Sequence, residues 1–425
     1  MARIVLATHA GKSHVNPLIP VVRELTGRGH EIFWYTARKY RPAIEAAGAV
    51  FTPPREGSFV DFEGLEQEHP ETAQLPAVAR QAWFLEHVWA RRCEGQYRDL
   101  AAIFAETGAE LLVADSGLWA ANLLHETHAT LWATVSLVSM SLPDPALPPY
   151  GKGWHPRPPG SRRRDDLAGR NSFRDTFGPA TRVLGELRER LGLPPARGQR
   201  PTPYLFMQAA TPSFELPRPN LPAHAHFIGP LLPEPPAAAA PAWLAELDDG
   251  HPVVLVTQGT MANSADRLIE PAIRALGGGK AHVVVTTGNE RARIAIDPLP
   301  DNVRVESFVP YHHLLPKVDA IVHNGGFGTA VQGLAHGIPQ VTAGRTEDKA
   351  ETGARLSWCG AGIDLRTQYP EPARIAAAVD AVLDEPWFRA AAARIATEFA
   401  RHDAVRTAAD LLERLLVERG PITRD

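Results

Sequence analysis

Two cysteines, Cys93 and Cys359, are all the chain has, too few for a disulfide framework or for a structural zinc site built on thiolates. That scarcity fits a reducing cytoplasm. No stretch reaches the ~18 consecutive apolar residues of a membrane span, and the N-terminus leads into the apolar run Ile4 to His9 without a signal-peptide hydrophobic region. The expectation is a protein that is neither inserted in a membrane nor exported. An excess of charge of one sign is also lacking: 44 basic residues stand against 48 acidic ones, a net charge of -4. No global field favours nucleic acid or an anionic membrane, so any anionic ligand must be held locally.

What is present is material for a packed interior. The chain has 425 residues, 44% hydrophobic and 22% charged. At ~150 residues per domain that suggests two or three globular domains, with two preferred. The first half alternates β-rich runs with helical patterns: strands at Arg3–Thr8, His30–Tyr35 and Glu110–Ala114, helices at Pro17–Thr26, Tyr40–Ala47 and Gly117–Thr127. That order predicts a doubly wound, mostly parallel sheet. A Pro-rich passage, Thr211 to Pro241, reads as an interdomain linker. Beyond it strands recur at Val253–Thr257, His282–Thr286, Val303–Phe308, Ala320–His323 and Pro339–Thr342, with a helix at Asp266–Leu276. We expect domains at 1–215 and 242–403, a linker at 216–241, and a C-terminal helix from Ala404 to Glu418 whose leucines need an apolar surface to cover.

The richest motif is His323-Asn324-Gly325-Gly326-Phe327-Gly328-Thr329, where a short apolar strand enters a Gly-rich turn and then a helix. Such a turn aims unpaired backbone N–H groups at a phosphate, which reads as a nucleotide site. The first strand's turn, His9-Ala10-Gly11-Lys12-Ser13-His14, is of another kind. A P-loop would need glycine where Leu6 stands, and a dinucleotide fingerprint needs glycines two and five residues after Gly11. Neither fits. His14 near a helix start, at the sheet edge where doubly wound folds bind ligands, can act as a general base near neutral pH. Asp115, ending another strand of the same sheet, can hold one ring nitrogen. The alternative for each is a structural histidine and a capping aspartate.

Segments 59–100 and 138–174 interrupt the pattern. Trp83, Phe84, His87 and Ser139 within them, together with Trp119 outside them, are the candidates to line an apolar pocket, against the alternative that any single aromatic is ordinary packing. The run Arg162-Arg163-Arg164 reads as a solvated loop.

Taken together, His14-Val15-Asn16-Pro17, Gln258-Gly259-Thr260, Phe308-Val309-Pro310, Asn324 to Thr329, and Glu347-Asp348-Lys349 resemble, in order and over almost the whole chain, the UDP-glycosyltransferase-like glycosyltransferases of the two-domain GT-B fold, notably the bacterial macrolide glycosyltransferases. That resemblance implies two Rossmann-like domains facing each other across a cleft. It implies inverting transfer of a hexose from a UDP- or dTDP-sugar to a hydroxyl of a hydrophobic or aromatic small molecule, with His14 as base and Asp115 as its partner. Thr260, Gly326, Gly328 and Thr329 would hold the diphosphate, with Gln258, Gly259, Gly325 and Phe327 also in the donor site. Backbone near Val309 would meet the nucleobase, and Gln332 would lie by the ribose. Glu347 and Asp348 would accept hydrogen bonds from sugar hydroxyls. The chain departs from many members at Asn324, with His323 the adjacent alternative on the diphosphate, at Gln332 and at Lys349, which otherwise reads as a surface lysine.

No two aspartates stand two apart, so the Asp-x-Asp cation site of the other sugar-nucleotide fold is missing and neither metal nor cofactor is expected. Asp165-Asp166 and Asp248-Asp249 read as loop carboxylates. The chain is expected as a monomer or homodimer. Two competing readings are a sugar-nucleotide epimerase and a catalytically silent partner of another transferase.

Overall fold

The computed structural model describes residues 1–55, 58–60, 65–156, 165–195, 201–259, 264–288 and 293–424. Thr260 and the arginine run at 162–164 lie outside them.

Two parallel sheets dominate. The first contains β1 (Arg3–Ala7), β2 (Glu31–Tyr35), β3 (Val50–Thr52), β4 (Leu111–Asp115), β5 (Trp132–Ser136), β6 (Leu205–Gln208) and β7 (Ala225–Phe227), in the order β3-β2-β1-β4-β5-β6-β7. The second contains β8 (Val253–Thr257), β9 (His282–Thr286), β10 (Val303–Glu306), β11 (Ala320–His323), β12 (Gln340–Thr342) and β13 (Gly362–Asp364), in the order β10-β9-β8-β11-β12-β13. Helices cover both faces, so central strands such as β4 and β8 are buried at every residue. That double burial explains why they read as continuous apolar runs. The architecture is α/β, two doubly wound domains.

Strand order reverses between β1 and β4 and again between β8 and β11, whose pairs include Ala7 with Ala114 and Thr257 with His323. A doubly wound sheet opens a crevice at the carboxyl ends of the strands at such a reversal. The candidate residues at 14 and 115, and those at 258 and 324, therefore flank the two crevices.

The 216–241 segment is more than a connector. It contributes β7 to the first sheet, where Met207 pairs with His226, and only then crosses to the second domain. Its short strand, set among prolines, carries little apolar periodicity. The chain crosses back near His402, and the Ala404–Glu418 helix buries Leu411, Leu412 and Leu415 in the first domain's core beside Leu18, Val22 and Leu25. Arg28 ties this helix at its surface, meeting Asp410 at 2.6 Å and Glu413 at 2.7 Å. The two crossings touch: Gly229, at φ +89°, packs against the His402 side chain with no room for a Cβ.

Candidate functional site

After β1 the chain turns at Gly11, whose carbonyl accepts the N–H groups of His14 at 2.9 Å and Val15 at 3.1 Å, starting the one-turn helix Lys12–Val15. This holds His14 over the end of β4. His14 Nδ1 lies 2.5 Å from Asp115 Oδ2, and Asp115 Oδ1 accepts the Gly117 N–H at 3.1 Å. With Nδ1 engaged, Nε2 is the nitrogen left to take a proton. Burial opposes the imidazolium, but the charge and hydrogen bond of Asp115, helped by Asp348, win and raise the His14 pKa above 6.5. Burial also works against the ionised Asp115, yet the His14 charge and hydrogen bond bring its pKa down to about 2.

A second histidine stands behind the first. His9 is buried, its ring centroid 5.7 Å from that of His14, and burial first of all lowers its pKa. It stacks on Trp89 at 5.3 Å, and Trp89 meets Trp119 edge-on at 5.5 Å. Trp89 closes a π-helical turn, Leu85–Trp89, the widened helix type that often marks functional sites. Of the aromatic candidates, Trp83 and His87 stack on each other at 4.6 Å and are only half-buried, whereas Phe84 packs in a small core with Leu65 and Val88. Trp119 belongs to a larger core and is 8% exposed. Ser139 does not line the pocket: it is fully buried, its hydroxyl 3.0 Å from that of Thr352 across the domain boundary. Nothing in its local sequence signals that distant partner.

In the second domain the Gly-rich turn is built by its own side chains. His323 is fully buried, with Nε2 2.8 Å from Gln340 Oε1 and Nδ1 accepting the Gly325 N–H at 3.2 Å, and burial lowers its pKa to about 4. It braces the turn from inside and has no ring nitrogen to give a diphosphate. Asn324 also points inward. Its Nδ2 donates to the Gln258 carbonyl at 2.5 Å, while its Oδ1 accepts the Gly326 N–H at 3.3 Å. Gln258 turns its own Oε1 to the Ile269 N–H, and the following Gly259 adopts φ +68°. Gly325, at φ +88°, lies against the Lys349 backbone, where a side chain would collide. The turn delivers Gly326 as N-cap of the Phe327–Ala335 helix. Phe327 is buried beside Phe214, so from this residue only the backbone faces the cleft. Gly328 faces the first domain, since a Cβ there would stand 4.0 Å from Ser13 Cβ. Gln332 donates to the Gly328 carbonyl at 3.1 Å. Val309 is buried at 1% exposure, which leaves its backbone, while the preceding Phe308 is 66% exposed.

Glu347 takes a left-handed backbone, φ +50°, a strained conformation of the kind found at functional sites. Its carboxylate accepts the Thr346 hydroxyl at 2.6 Å and pairs with Lys349. Lys349 is therefore no surface lysine: only 5% exposed, it sits under the Gly-rich turn and neutralises Glu347. Burial disfavours the ionised Glu347, but Lys349 prevails and lowers its pKa. For Asp348 burial prevails and raises the pKa. The two neighbours thus differ in surroundings: Glu347 is paired with Lys349, whereas Asp348 has a buried Oδ2 that lacks a hydrogen-bond partner among the described residues.

Asp249, His251 and His282 could share a metal ion, all three ligand atoms lying within 4.8 Å of one another. They stand before β8 and at the start of β9, the sheet edge opposite the Gly-rich turn. Among the described residues no helix is long and apolar enough to cross a membrane.

Residues 272–415 match the family model "Erythromycin biosynthesis protein CIII-like, C-terminal domain". The 4'-demethylrebeccamycin synthase of Lentzea aerocolonigenes is 41% identical over 98% of this chain and 100% of its own. Among solved structures, the glycosyltransferase of kitacinnamycin superposes with a TM-score of 0.75 at 20% identity, covering 98% of this chain and 99% of its own. The glycosyltransferase VinC, solved in complex with dTDP, gives a TM-score of 0.64 at 22% identity over 98% of this chain and 100% of its own.

Proposed function

The chain belongs to the GT-B natural-product glycosyltransferases of the UDP-glycosyltransferase-like family, and from that premise we propose that it transfers a hexose, with inversion, from a UDP- or dTDP-sugar to a hydroxyl of a hydrophobic, aromatic-rich small molecule. The observation that carries this reading is the 2.5 Å contact between His14 and Asp115, set where the first domain's crevice faces the Gly-rich turn of the second.

In this mechanism the acceptor hydroxyl binds beside His14 Nε2, which takes its proton as the oxygen attacks the anomeric carbon from the face opposite the leaving diphosphate. Asp115 keeps the proton on Nδ1 and stabilises the imidazolium. The diphosphate departs onto the N–H groups of Phe327, Gly328 and Thr329 at the helix N-terminus, helped by the helix dipole. Glu347 and Asp348 receive sugar hydroxyls. The exposed Phe308 ring offers the nucleobase a flat face beside the Val309 backbone, and Gln332 lies toward the ribose. Trp83, His87, Trp89 and the Trp119 edge supply acceptor contacts. No step requires a metal.

A first assay supplies UDP-glucose and dTDP-glucose with the aglycone of 4'-demethylrebeccamycin, the named product of the 41%-identical relative. Product formed by the purified chain alone supports transfer and removes the silent-partner reading. Conversion of donor with no acceptor present would instead favour the epimerase reading.

A further inference from the structure

Across the domain boundary, residues 139–155 of the first domain lie along the Lys349–Trp358 helix and are fastened to it at several points. The Gly151 and Gly153 N–H groups both donate to Glu351 Oε1, at 2.8 and 2.9 Å. Gly153, at φ +60°, rests on the Ala350 carbonyl with no space for a Cβ. Arg355, 1% exposed, lies 3.0 Å from Glu351 and 2.6 Å from Glu215, and donates to the Met140 carbonyl at 3.2 Å. With Arg218 3.5 Å from Glu215, two guanidiniums balance two carboxylates and the buried cluster is neutral.

The same helix begins at the Glu347–Asp348 turn, and both residues of that turn are held by the first domain. The Ser139 hydroxyl lies 3.0 Å from that of Thr352, which in turn donates to the Asp348 carbonyl at 3.3 Å. Gln81, on the Ala77–Phe84 helix, accepts the Glu347 N–H through its Oε1 at 3.0 Å. That bond fixes the one residue of the turn with a left-handed backbone, where the chain would otherwise relax. We propose that the acceptor domain completes the donor-sugar site: Gln81 and the 139–153 segment are positioning residues that keep Glu347 and Asp348 in register with the sugar, so that sugar recognition depends on both domains. The inference rests on the reading that these two carboxylates face the donor sugar.

The test separates sugar from nucleotide. Calorimetry on the full chain gives the Kd of UDP, dTDP and their glucose conjugates for the wild type, Gln81→Ala and Gly153→Ala. The expected result is that the ratio of nucleotide-sugar Kd to bare-nucleotide Kd rises about 2- to 10-fold in each variant, the loss of roughly one hydrogen bond, while the bare-nucleotide Kd is unchanged. Gln81→Ala alters a half-buried side chain outside the cores, so it keeps the test decisive if Gly153→Ala fails to fold. An unmoved ratio, or an equal loss for nucleotide and nucleotide sugar, overturns this inference alone. A wild type that binds none of the four ligands overturns the donor reading and this inference with it.

Discussion

Asn324 Nδ2 donates to the Gln258 carbonyl at 2.5 Å, which ties the turn after β11 to the turn after β8 at the reversal of strand order. Asn324→Ala removes this bond and the support it gives the Gly326 N–H. Bare-nucleotide binding is expected to weaken about 2- to 10-fold, from ~0.5–1.5 kcal/mol per hydrogen bond, as read by calorimetry. Unchanged binding would show that the turn keeps its shape unaided.

Replacing His14 by Ala removes the base without touching the Gly-rich turn. Transfer is expected to fall about 10²- to 10⁴-fold while the nucleotide Kd holds. Full activity in His14→Ala would refute the base assignment.

The rate should depend on pH with a definite sign. Since the His14 pKa is raised above 6.5, the free base accumulates only above that value, and kcat/KM should climb with pH through a midpoint higher than 6.5. Asp115→Asn withdraws the carboxylate that favours the imidazolium, so the midpoint should move to lower pH and the plateau should drop. A midpoint that stays in place would detach Asp115 from the titration.

The same pair bears on acid stability. Asp115 has its folded pKa depressed to about 2 from 3.8, so its ionised form stabilises the fold above 3.8 and that contribution is lost as pH falls through about 2. In urea titrations at pH 2–4, Asp115→Asn should flatten the pH dependence of the first domain's midpoint. The wild type's steeper slope is the control.

Leu412→Ala should destabilise the first domain, not the second, by about 2–5 kcal/mol, because this C-terminal side chain is 1% exposed in the first domain's core. Denaturation followed separately in each domain would reveal the asymmetry. A loss confined to the second domain would contradict the packing.

Much of this was legible where local chemistry and position coincide. Ile4 to Ala7 and Val253 to Thr257 announce doubly buried strands, and the glycines from 325 to 328 announce a turn opening a helix. The three-residue strands Val50–Thr52, Ala225–Phe227 and Gly362–Asp364 are too short to show a period. Side-chain direction was harder still. Whether His323 faces a ligand or Gln340 depends on a partner seventeen positions away, and Ser139 and Gln81 find theirs more than two hundred positions off. His9 and Trp89, which back the dyad, become neighbours only once β1 and the π-helical turn meet.

The Gly229–His402 contact bears on how the protein is made. During synthesis, β1 through β7 emerge first, but the surface over Ile4, Leu6 and Leu18 lacks its cover until the Ala404–Glu418 helix has also left the ribosome. The first domain therefore waits, partly uncovered, for the far end of the two-domain unit, the Ala404–Glu418 helix. Once that end has docked, the halves are joined by two adjacent strands of chain instead of one. Cleavage between residues 230 and 241 would then leave a nicked pair that stays together, its pieces interlocked by the returning helix.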